Sequence, residues 1–551
     1  MNARRKLDDR SIDPVSIEVV RNKLDGIANE MQLTLVRSAY SPIVKEGLDA
    51  SASLFTIDGE TLSQAIAIPI HLATLIPIVE TILAEYPLAE MSEGDIFIMN
   101  DPYLGGTHLP DIALIKPVFI QGRPIALSAC MTHHQDVGGM SPGSVPTNAT
   151  EIFQEGIRIP PLKYVAAGAL NKTLVKMLRQ NVRIPDNFFG DLNAQVAACN
   201  VGERRLRELA AGYGENTLLA IFGALLDRSE TLTRHALSQL PAGEYHYEDF
   251  LDNDGVDLEQ RVRIAVRVVL GDGSMHCDFT GTDGAVKGPF NCVASGTQAA
   301  AYFALRAVTG TDIPTNGGCF RAVTLELPEG SLLNPKPPAP VNSRTATIKR
   351  VSGCILGALR EAAPDKIGAD GACAQHVLVL AGNQENGAPY VVGEMIASGS
   401  GASISSDGVD VIETDATNCM NLPAEALELD APIRINRFAL RPDSGGMGAY
   451  RGGLGVLREY EILIGDVHLT HRGERHMTAP RGAAEGSDGA KAISRILRRD
   501  GREEVIPSKQ MLVLHAGDRL IVETAGGAGY GNPRGRLQSL SRADHANGKI
   551  T

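Results

Sequence analysis

Apolar residues recur at three- and four-residue spacing near the start of the chain, which is the spacing of one face of an α-helix. They fall at Ile17, Val20, Leu24, Ile27, Met31 and Leu35. Asp13-Pro14 precedes this run as an N-cap with a proline in the first turn, and Pro42 follows it as a stop. The pattern predicts a long amphipathic helix that buries one face.

Shorter elements with strand-like patterns follow this helix, separated by turn residues. In chain order the pattern predicts a hairpin over 50–56 and 61–65 around Asp58-Gly59, a helix over 72–86, a strand over 95–100, and two strands joined by Gln121-Gly122, the second over 124–131. Asp49 stands just before the first strand of the hairpin. This part of the chain is therefore mixed in secondary structure.

The remaining chain divides into a helical part and a β-rich part. Helical spacing predicts helices over 171–180, 186–211 and 216–239, and from Pro241 onward β-branched runs and turns dominate, with strands over 260–270 and 274–280 and helices over 297–308 and 349–362. We predict an α+β fold with a large mixed β-rich core, flanking helices and several subdomains. The predicted regions are 1–169, an N-terminal metal-binding α/β region, 170–240, which is helical, and 241–551, which is β-rich with helices. The tail after Pro533 is predicted to be frayed.

Composition narrows the classes of function. The chain of 551 residues is 43% hydrophobic and carries 52 basic against 65 acidic residues, a formal charge of −13, with no basic cluster. This balance argues against nucleic acid or an anionic membrane as a partner. The eight cysteines form no CxxC pair, and neither the charged N-terminus nor the apolar window over 65–83 resembles a secretion signal or a membrane span. We expect reduced, buried cysteines and a cytoplasmic protein.

Candidate chemistry is concentrated between Asp101 and Gly139, which contain three histidines and three aspartates: His108, His133, His134, Asp101, Asp111 and Asp136. A mixture of imidazole and carboxylate suits Zn²⁺, Mn²⁺ or Fe²⁺ better than Ca²⁺, which prefers oxygen ligands alone. These histidines and aspartates lie beside Gly105-Gly106 and Gly138-Gly139, where the backbone bends sharply or approaches another group closely. We predict a catalytic metal site with one exchangeable position.

Roles within this cluster stay open at the level of residue spacing. Neighbouring strand residues point to opposite faces, so the strand phase decides whether His133 or His134 binds metal. His134 or Asp136 could act as general base or could hold a ligand in place. Glu151 and Glu155 precede a Pro-Pro stop in a segment that fits a solvated loop as well as a substrate loop. For His468, His471 and His476 we favour a structural role over a second metal site.

Other catalytic and cofactor signatures are missing from the sequence. The late glycine clusters match no phosphate-binding loop, since no GxxxxGK[ST] occurs, and neither GxSxG nor SxxK is present. The chain itself is therefore predicted to bind no nucleotide cofactor and to use no covalent nucleophile.

Six segments in order along the chain resemble the hydantoinase B/oxoprolinase family, the B-type subunits of ATP-dependent hydantoinases, 5-oxoprolinases and caprolactamase, with acetone and acetophenone carboxylase subunits as relatives. The segments are DPVSIEVVRNKLDGIANEM, NDPYLGGTHLPDI, THHQDVGGMSPGS, EIFQEGIRIPP, DFTGTDGAVKGPFN and AGGAGYGNP. Ala525 and Ala528 depart from the family pattern, which usually has Pro and Gly there.

The resemblance implies a metal set of Asp49, His108, Asp111 and His133, which adds a distant aspartate to the local cluster. It also implies an A-type partner subunit that binds ATP and Mg²⁺, in a hetero-oligomer expected to be A2B2. In lactam-opening members, ATP is thought to phosphorylate the amide, and water activated by the divalent metal (Zn, Mn or Fe) of the B subunit opens the ring. The implied activity is ATP-dependent hydrolysis of a small cyclic amide.

Two alternatives remain at this level. The same metal site could serve an acetone- or acetophenone-type carboxylase, which would require bicarbonate. The chain could also be a non-catalytic scaffold subunit, although scaffolding does not require metal-ligating side chains in one pair of loops. Which cyclic amide or ketone is the substrate, and which metal is bound, the sequence leaves open.

Overall fold

The computed structural model describes residues 13–551; the charged N-terminal segment predicted to carry no secretion signal begins in residues 1–12, which lie outside the described residues. The helices are α1 Pro14–Ser38, α2 Pro42–Lys45, α3 Leu75–Glu85, α4 Lys172–Asn181, α5 Pro185–Tyr213, α6 Glu215–Ser238, α7 Ala294–Thr309, α8 Gly317–Phe320, α9 Arg344–Leu359, α10 Ala424–Asp430 and α11 Gln538–Ala546. As predicted, Asp13 caps α1, its carboxylate accepting from the amides of Val15 and Ser16.

The strands of residues 13–551 form four sheets. In the first half of the chain they are β1 Ala50–Thr56, β2 Thr61–Gln64, β3 Ile96–Met99, β4 Asp111–Ile120, β5 Arg123–His133, β6 Leu162–Ala166, β7 Ala169–Leu170, β8 Gly243–Leu251, β9 Val262–Gly271 and β10 Ser274–Asp278. In the second half they are β11 Val323–Glu326, β12 His376–Asn383, β13 Pro389–Ile396, β14 Ile433–Leu440, β15 Val456–Ile462, β16 Asp466–Arg472, β17 Ile493–Leu497, β18 Glu503–Ile506, β19 Lys509–His515 and β20 Arg519–Glu523. The predicted α+β class with several sheets is confirmed.

The strand orders show which strands belong to each sheet. The orders are β2-β1-β5-β4-β3-β6-β7, β11-β10-β9-β8, β13-β12-β16-β19 and β14-β15-β20-β17-β18. Every predicted helix and strand named above has a counterpart, with ends that shift by up to five residues. The proposed boundaries at 169 and 240 stay a prediction, because hydrophobic contacts run from the first region into α5 and α6.

The first sheet is covered on both faces, and this places its strand ends inside the protein. Along β4, Ile112 and Leu114 pack into the cluster formed with α1, α5 and α6, while Ala113 and Ile115 pack against α3 on the opposite face. Successive side chains of a strand point to opposite faces, so a strand between two layers is apolar throughout. Any polar side chain at the end of this strand is therefore buried unless a pocket reaches it.

The glycine clusters of the C-terminal third form a seam of backbone packed on backbone. A Cβ added at Gly527 would lie 1.8 Å from the carbonyl oxygen of Ser400, and one added at Gly452 would lie 2.0 Å from that of Gly527. The amide of Gly527 donates to the carbonyl of Gly453 at 2.8 Å, and that of Gly399 donates to Ala525 at 3.1 Å. Only glycine allows such an approach, so these glycines serve packing.

The C-terminal tail differs from the sequence prediction. Residues after Pro533 form α11, and Arg536 is buried between Asp407 at 2.8 Å and Asp544 at 2.5 Å. The polar composition that predicted fraying supplies instead a buried ion-pair network. Among the described helices no single one is long and apolar enough to cross a membrane, and the pair α5 and α6, bent by 107°, would pass such a test only by length and composition.

Candidate metal centre

Three predicted ligands lie in one row across three neighbouring strands. In the antiparallel pairing of β4 with β5, Asp111 is directly opposite His133. On the other side of β5, Ala50 pairs with Thr132, and the amide of His133 donates to the carbonyl of Asp49 at 3.1 Å. Residues directly opposite each other share a face of the sheet. The row therefore presents Asp49, His133 and Asp111 at the same edge.

His108 reaches this row from the loop that precedes β4. Its Nε2 lies 3.0 Å from Oδ1 of Asp111, and its Nδ1 lies 2.8 Å from the carbonyl oxygen of Asn342. Because a carbonyl can only accept, Nδ1 carries the proton and Nε2 keeps its lone pair toward Asp111. The ring is thus in the tautomer that a metal ligand needs.

Glu155 holds the segment that orients this histidine. Its carboxylate accepts from the amides of Asn342 at 2.8 Å and Val341 at 3.1 Å. Glu155 is buried, and burial raises its pKa to about 8, against the two amide hydrogen bonds. Glu155 is therefore a buried support that links the end of the 3-10 turn at 152–154 to the residues before α9, a role that neither sequence interpretation included. Glu151, at the start of the same turn, is exposed.

Donor atoms of His108, Asp111 and His133 lack the partners that buried polar atoms normally have. His108 Nε2, Asp111 Oδ1 and His133 Nδ1 are buried without a hydrogen-bond partner in the part of the chain from 13 to 551. Ligand atoms of these three residues all lie within 4.8 Å of one another. Unpaired buried polar atoms cost free energy, and a divalent cation would satisfy all three. Two imidazoles and carboxylates also match the donors preferred by zinc and manganese, so the residues fit a metal.

The electrostatics of the cluster agree with this fit. Burial, and next the charge of Asp111, raise the pKa of Asp49 to about 8. For Asp111 burial acts in the same direction, but His108 and Arg344 outweigh it and hold its pKa well below the usual range. Burial lowers the pKa of both His108 and His133, so both are neutral at pH 7. Two close carboxylates beside neutral imidazoles form a site that a cation stabilises.

A pocket adjoins the row and receives side chains from distant parts of the chain. Its walls are largely apolar and come from β12, β13 and α10, with Val377, Val391 and Leu427 among them. Two arginines, Arg344 and Arg472, also line it. The combination of apolar walls with a few convergent polar groups is typical of a small-molecule site.

His134 and Asp136 lie outside this pocket. The Nε2 of His134 is 3.0 Å from Oε1 of Gln195 on α5, and the ring packs against Phe188. Asp136 accepts from the amides of Gly138, Gly143 and Arg183 and pairs with the guanidinium of Arg183 at 3.0 Å. Of the two roles open for these residues, the hydrogen bonds favour support over proton transfer.

Three residues of the site were missed at the sequence level: His71, Arg344 and Arg472. His71 ends the 3-10 turn at 69–71, and its Nε2 lies 3.6 Å from Asp49 Oδ1. Arg344 begins α9 and forms a buried ion pair with Asp111 Oδ2. The available signal was a polar residue inside an apolar run, as at His71 in PIHLATLIP. Such a residue marks a site only when the fold brings partners to it.

The later histidines form a separate group. His471 and His476 pack with His376 at ring-centroid distances between 5.5 and 6.1 Å, and both contact Ser494 Oγ. His468 is exposed on β16. Within residues 13–551 the donor geometry of a metal site is found at His108, Asp111 and His133, and the structural role that we favoured for the later histidines stays a prediction.

Comparison with known proteins identifies relatives that match nearly the whole chain. A family model described as hydantoinase B/oxoprolinase matches residues 13–533. An uncharacterised protein of Methanocaldococcus jannaschii is 36% identical over 98% of this chain and 94% of its own length. The caprolactamase subunit beta of Pseudomonas jessenii is 32% identical over 98% of this chain and 94% of its own length.

Two solved structures share the fold. The crystal structure of the ATP-dependent caprolactamase from Pseudomonas jessenii superposes with a TM-score of 0.92 at 31% identity, covering 98% of this chain and 95% of that chain. A nucleotide-free structure of acetone carboxylase superposes with a TM-score of 0.91 at 19% identity, covering 98% of this chain and 78% of that one, which is a likeness of fold alone.

Proposed function

The chain belongs to the hydantoinase B/oxoprolinase family, and we propose that it is the metal-binding catalytic B subunit of an ATP-dependent cyclic-amide hydrolase. The observation that carries the proposal is the set of unpaired donor atoms on His108, Asp111 and His133, buried at the edge of an apolar pocket. A relative at 32% identity is named as a caprolactamase subunit, which supports a lactam as the class of substrate.

We assign the metal to Asp49, His108, Asp111 and His133. Bound there, a divalent cation would supply Lewis-acid chemistry, which lowers the pKa of water and stabilises developing negative charge. Arg344 holds Asp111 through Oδ2 and leaves Oδ1 free, while the Asn342 carbonyl fixes the ring of His108. His71 lies beside Asp49 and is neutral, since burial lowers its pKa to about 4; we assign it a positioning role.

The apolar walls of the pocket exclude bulk water from the amide. An unstrained amide resists attack because resonance stabilises its ground state, and phosphorylation of its oxygen removes that resonance and provides a leaving group. Fixed charges act more strongly in a water-poor pocket than in solvent. The chain therefore contributes orientation and charge stabilisation to a substrate that has been activated beforehand.

Activation by ATP is assigned to a partner subunit. The sequence contains no GxxxxGK[ST] loop, and the caprolactamase that shares the fold is named as ATP-dependent. We propose an A-type partner that binds ATP and Mg²⁺, in an A2B2 assembly. Neither nucleic acid nor a membrane enters this proposal.

The test combines metal analysis with activity of the assembled enzyme. The protein that co-purifies with this chain is identified, and cyclic amides are screened for stimulation of ATP hydrolysis and for ring opening. His108→Ala and Asp111→Ala should each lose bound metal and ring opening, whereas His468→Ala, an exposed histidine outside the pocket, should lose neither. Full metal content and full activity in both site variants would end the proposal.

The same assay separates the alternatives. Incorporation of labelled bicarbonate into product would identify a carboxylase, because net hydrolysis retains no label. Ring opening by the partner alone, at the rate of the complex, would make this chain a scaffold.

A further inference from the structure

Arg472 is the last residue of β16 and is buried without an ionic partner. Its residue exposure is 5%, and its Nη1 atom has no hydrogen-bond partner in residues 13–551. The acidic group that influences it most, Glu474, is itself paired with Lys509 and lies 3.6 Å from Arg350. Burial and the nearby Arg344 lower the pKa of Arg472 to about 9, so the guanidinium stays charged at pH 7.

Other buried arginines show how unusual this is. Each of the remaining arginines among the buried polar residues of 13–551 forms an ion pair with a carboxylate: Arg344, Arg350, Arg451, Arg458, Arg475 and Arg536. A buried charge without a partner costs several kcal/mol as an order of magnitude. Six of these seven buried arginines are paired with a carboxylate, and Arg472 is not. Its unpaired charge therefore indicates a role in binding a ligand.

Arg472 lines the pocket beside the metal row. It pairs with Val377 across β12, and paired residues share a face of the sheet; both line the pocket, together with Val379 on the same face. The neighbour His471 points to the opposite face, toward Ser494. The guanidinium is therefore available to a molecule in the pocket.

The charges around the pocket leave positive charge uncompensated. Glu394 is paired with Arg458 at 2.7 Å, and Asp430 lies at the exposed rim. Asp111 forms an ion pair with Arg344. Arg472 then remains as the cation of the pocket lining that pairs with no carboxylate of residues 13–551, and a neutral ligand would not neutralise it.

We infer that the substrate occupies this pocket as an anion and that Arg472 binds its anionic group. Guanidinium binds phosphoryl and carboxylate oxygens in the same bidentate manner, so the ligand class is a cyclic amide bearing either group. The inference rests on the proposed function in placing a cyclic amide there. A phosphoryl group on the activated amide oxygen would hold the reacting carbon between Arg472 and the metal row, whereas a carboxylate would fix the far side of the ring.

The experiment measures anion binding, independently of catalysis. Inorganic phosphate and acetate are titrated calorimetrically into the purified full chain, with metal content determined for every variant. Arg472→Met should weaken binding by about tenfold to a hundredfold, the range expected for lost hydrogen bonds to a charged group. Arg472→Lys keeps the charge but loses the planar pair of guanidinium donors. Its affinity for the anion should lie between those of the wild type and Arg472→Met. Arg434→Met, which removes an exposed charge of β14, should bind as the wild type does.

Stability provides the second measurement. If Arg472 serves a ligand, Arg472→Met should unfold at no lower temperature than the wild type without anion, and it should lose the stabilisation that phosphate gives the wild type. Preference for phosphate identifies a phosphoryl group, and preference for acetate identifies a carboxylate. Unchanged affinity in Arg472→Met, absence of binding by the wild type, or a strongly destabilised Arg472→Met would overturn the inference. A chain that binds anions through Arg472 but opens no cyclic amide would refute only the proposed function.

Discussion

Replacement of Asp136 tests whether this residue takes part in proton transfer or supports the wall of the pocket. Its carboxylate accepts from the buried amides of Gly138 and Gly143, each at 3.0 Å, and from the partly exposed Arg183. Asp136→Ala leaves the two buried amides without an acceptor. At about 1–3 kcal/mol for each buried unsatisfied group, the free energy of unfolding should fall by about 2–6 kcal/mol.

That loss is large beside the total stability of about 5–15 kcal/mol typical of a folded protein. Asp136→Asn keeps one acceptor oxygen and should lose about half as much. The contribution of Arg183 is small, because its side chain is 36% exposed and solvent screens the pair. Since Gly143 lines the pocket, loosening of this loop should raise KM more than it lowers kcat.

The assay is denaturant unfolding combined with hydrogen exchange of the amides of residues 137–144. We expect a lower unfolding midpoint and faster exchange in Asp136→Ala, with the exposed Asp365→Ala as the control. A variant that unfolds and exchanges like the wild type but has lost ring opening would refute the supporting role and restore Asp136 as a general base.

Two further predictions concern features away from the metal. Burial raises the pKa of Glu155 in the folded state from its ordinary value of 4.5 to about 8, so the folded chain binds more protons than the unfolded chain between these values. Stability should therefore fall as pH rises, by at most about 1.4 kcal/mol per pH unit. Unfolding midpoints between pH 5 and 9 should fall less steeply with pH in Glu155→Gln than in the wild type, because other carboxyls with a raised pKa, such as Asp49, remain in both; parallel profiles would contradict it. In the glycine seam, Gly527→Ala should lower the melting temperature strongly, because its Cβ would lie 1.8 Å from the Ser400 carbonyl oxygen. Gly212→Ala in α5, where nothing lies within 4 Å, should stabilise by about 0.5–1 kcal/mol, and similar melting temperatures for the two variants would argue against the seam.

Local patterns predicted most elements because their signals lie within short windows. The cap at Asp13 and the turn at Asp58-Gly59 each decide a local conformation by themselves. The row of Asp49, Asp111 and His133 depends instead on strand order, since β5 pairs with β1 on one side and β4 on the other. Strand order is not encoded in any window, and Asp49 therefore came from the family resemblance.

The rest of the site required contacts between distant segments. Arg344 and Asp111 are separated by 233 residues, and Glu155 and Asn342 by 187. A single arginine at the start of a helix or at the end of a strand carries no local mark of its partner. The sequence likewise could not distinguish Arg472 from Arg475, although one is unpaired and the other is bound to Asp249.

The glycine seam also constrains the order in which the protein can be made. Its middle strips, at 399–401 and 452–453, share backbone hydrogen bonds with residues 525–528, with Gly399 donating to Ala525 and Gly453 accepting from Gly527. Residues 525–528 are synthesised roughly 70 residues after Gly453. At about 5–20 residues per second these strips wait several seconds on the ribosome before their partners emerge. During that interval their amides and carbonyls are open to water, to chaperones and to other nascent chains. Messenger RNAs truncated just before the codon for residue 525 should therefore yield chains that contain Asp49, Asp111 and His133 but whose C-terminal half stays unpaired. Cellular proteases should degrade such chains.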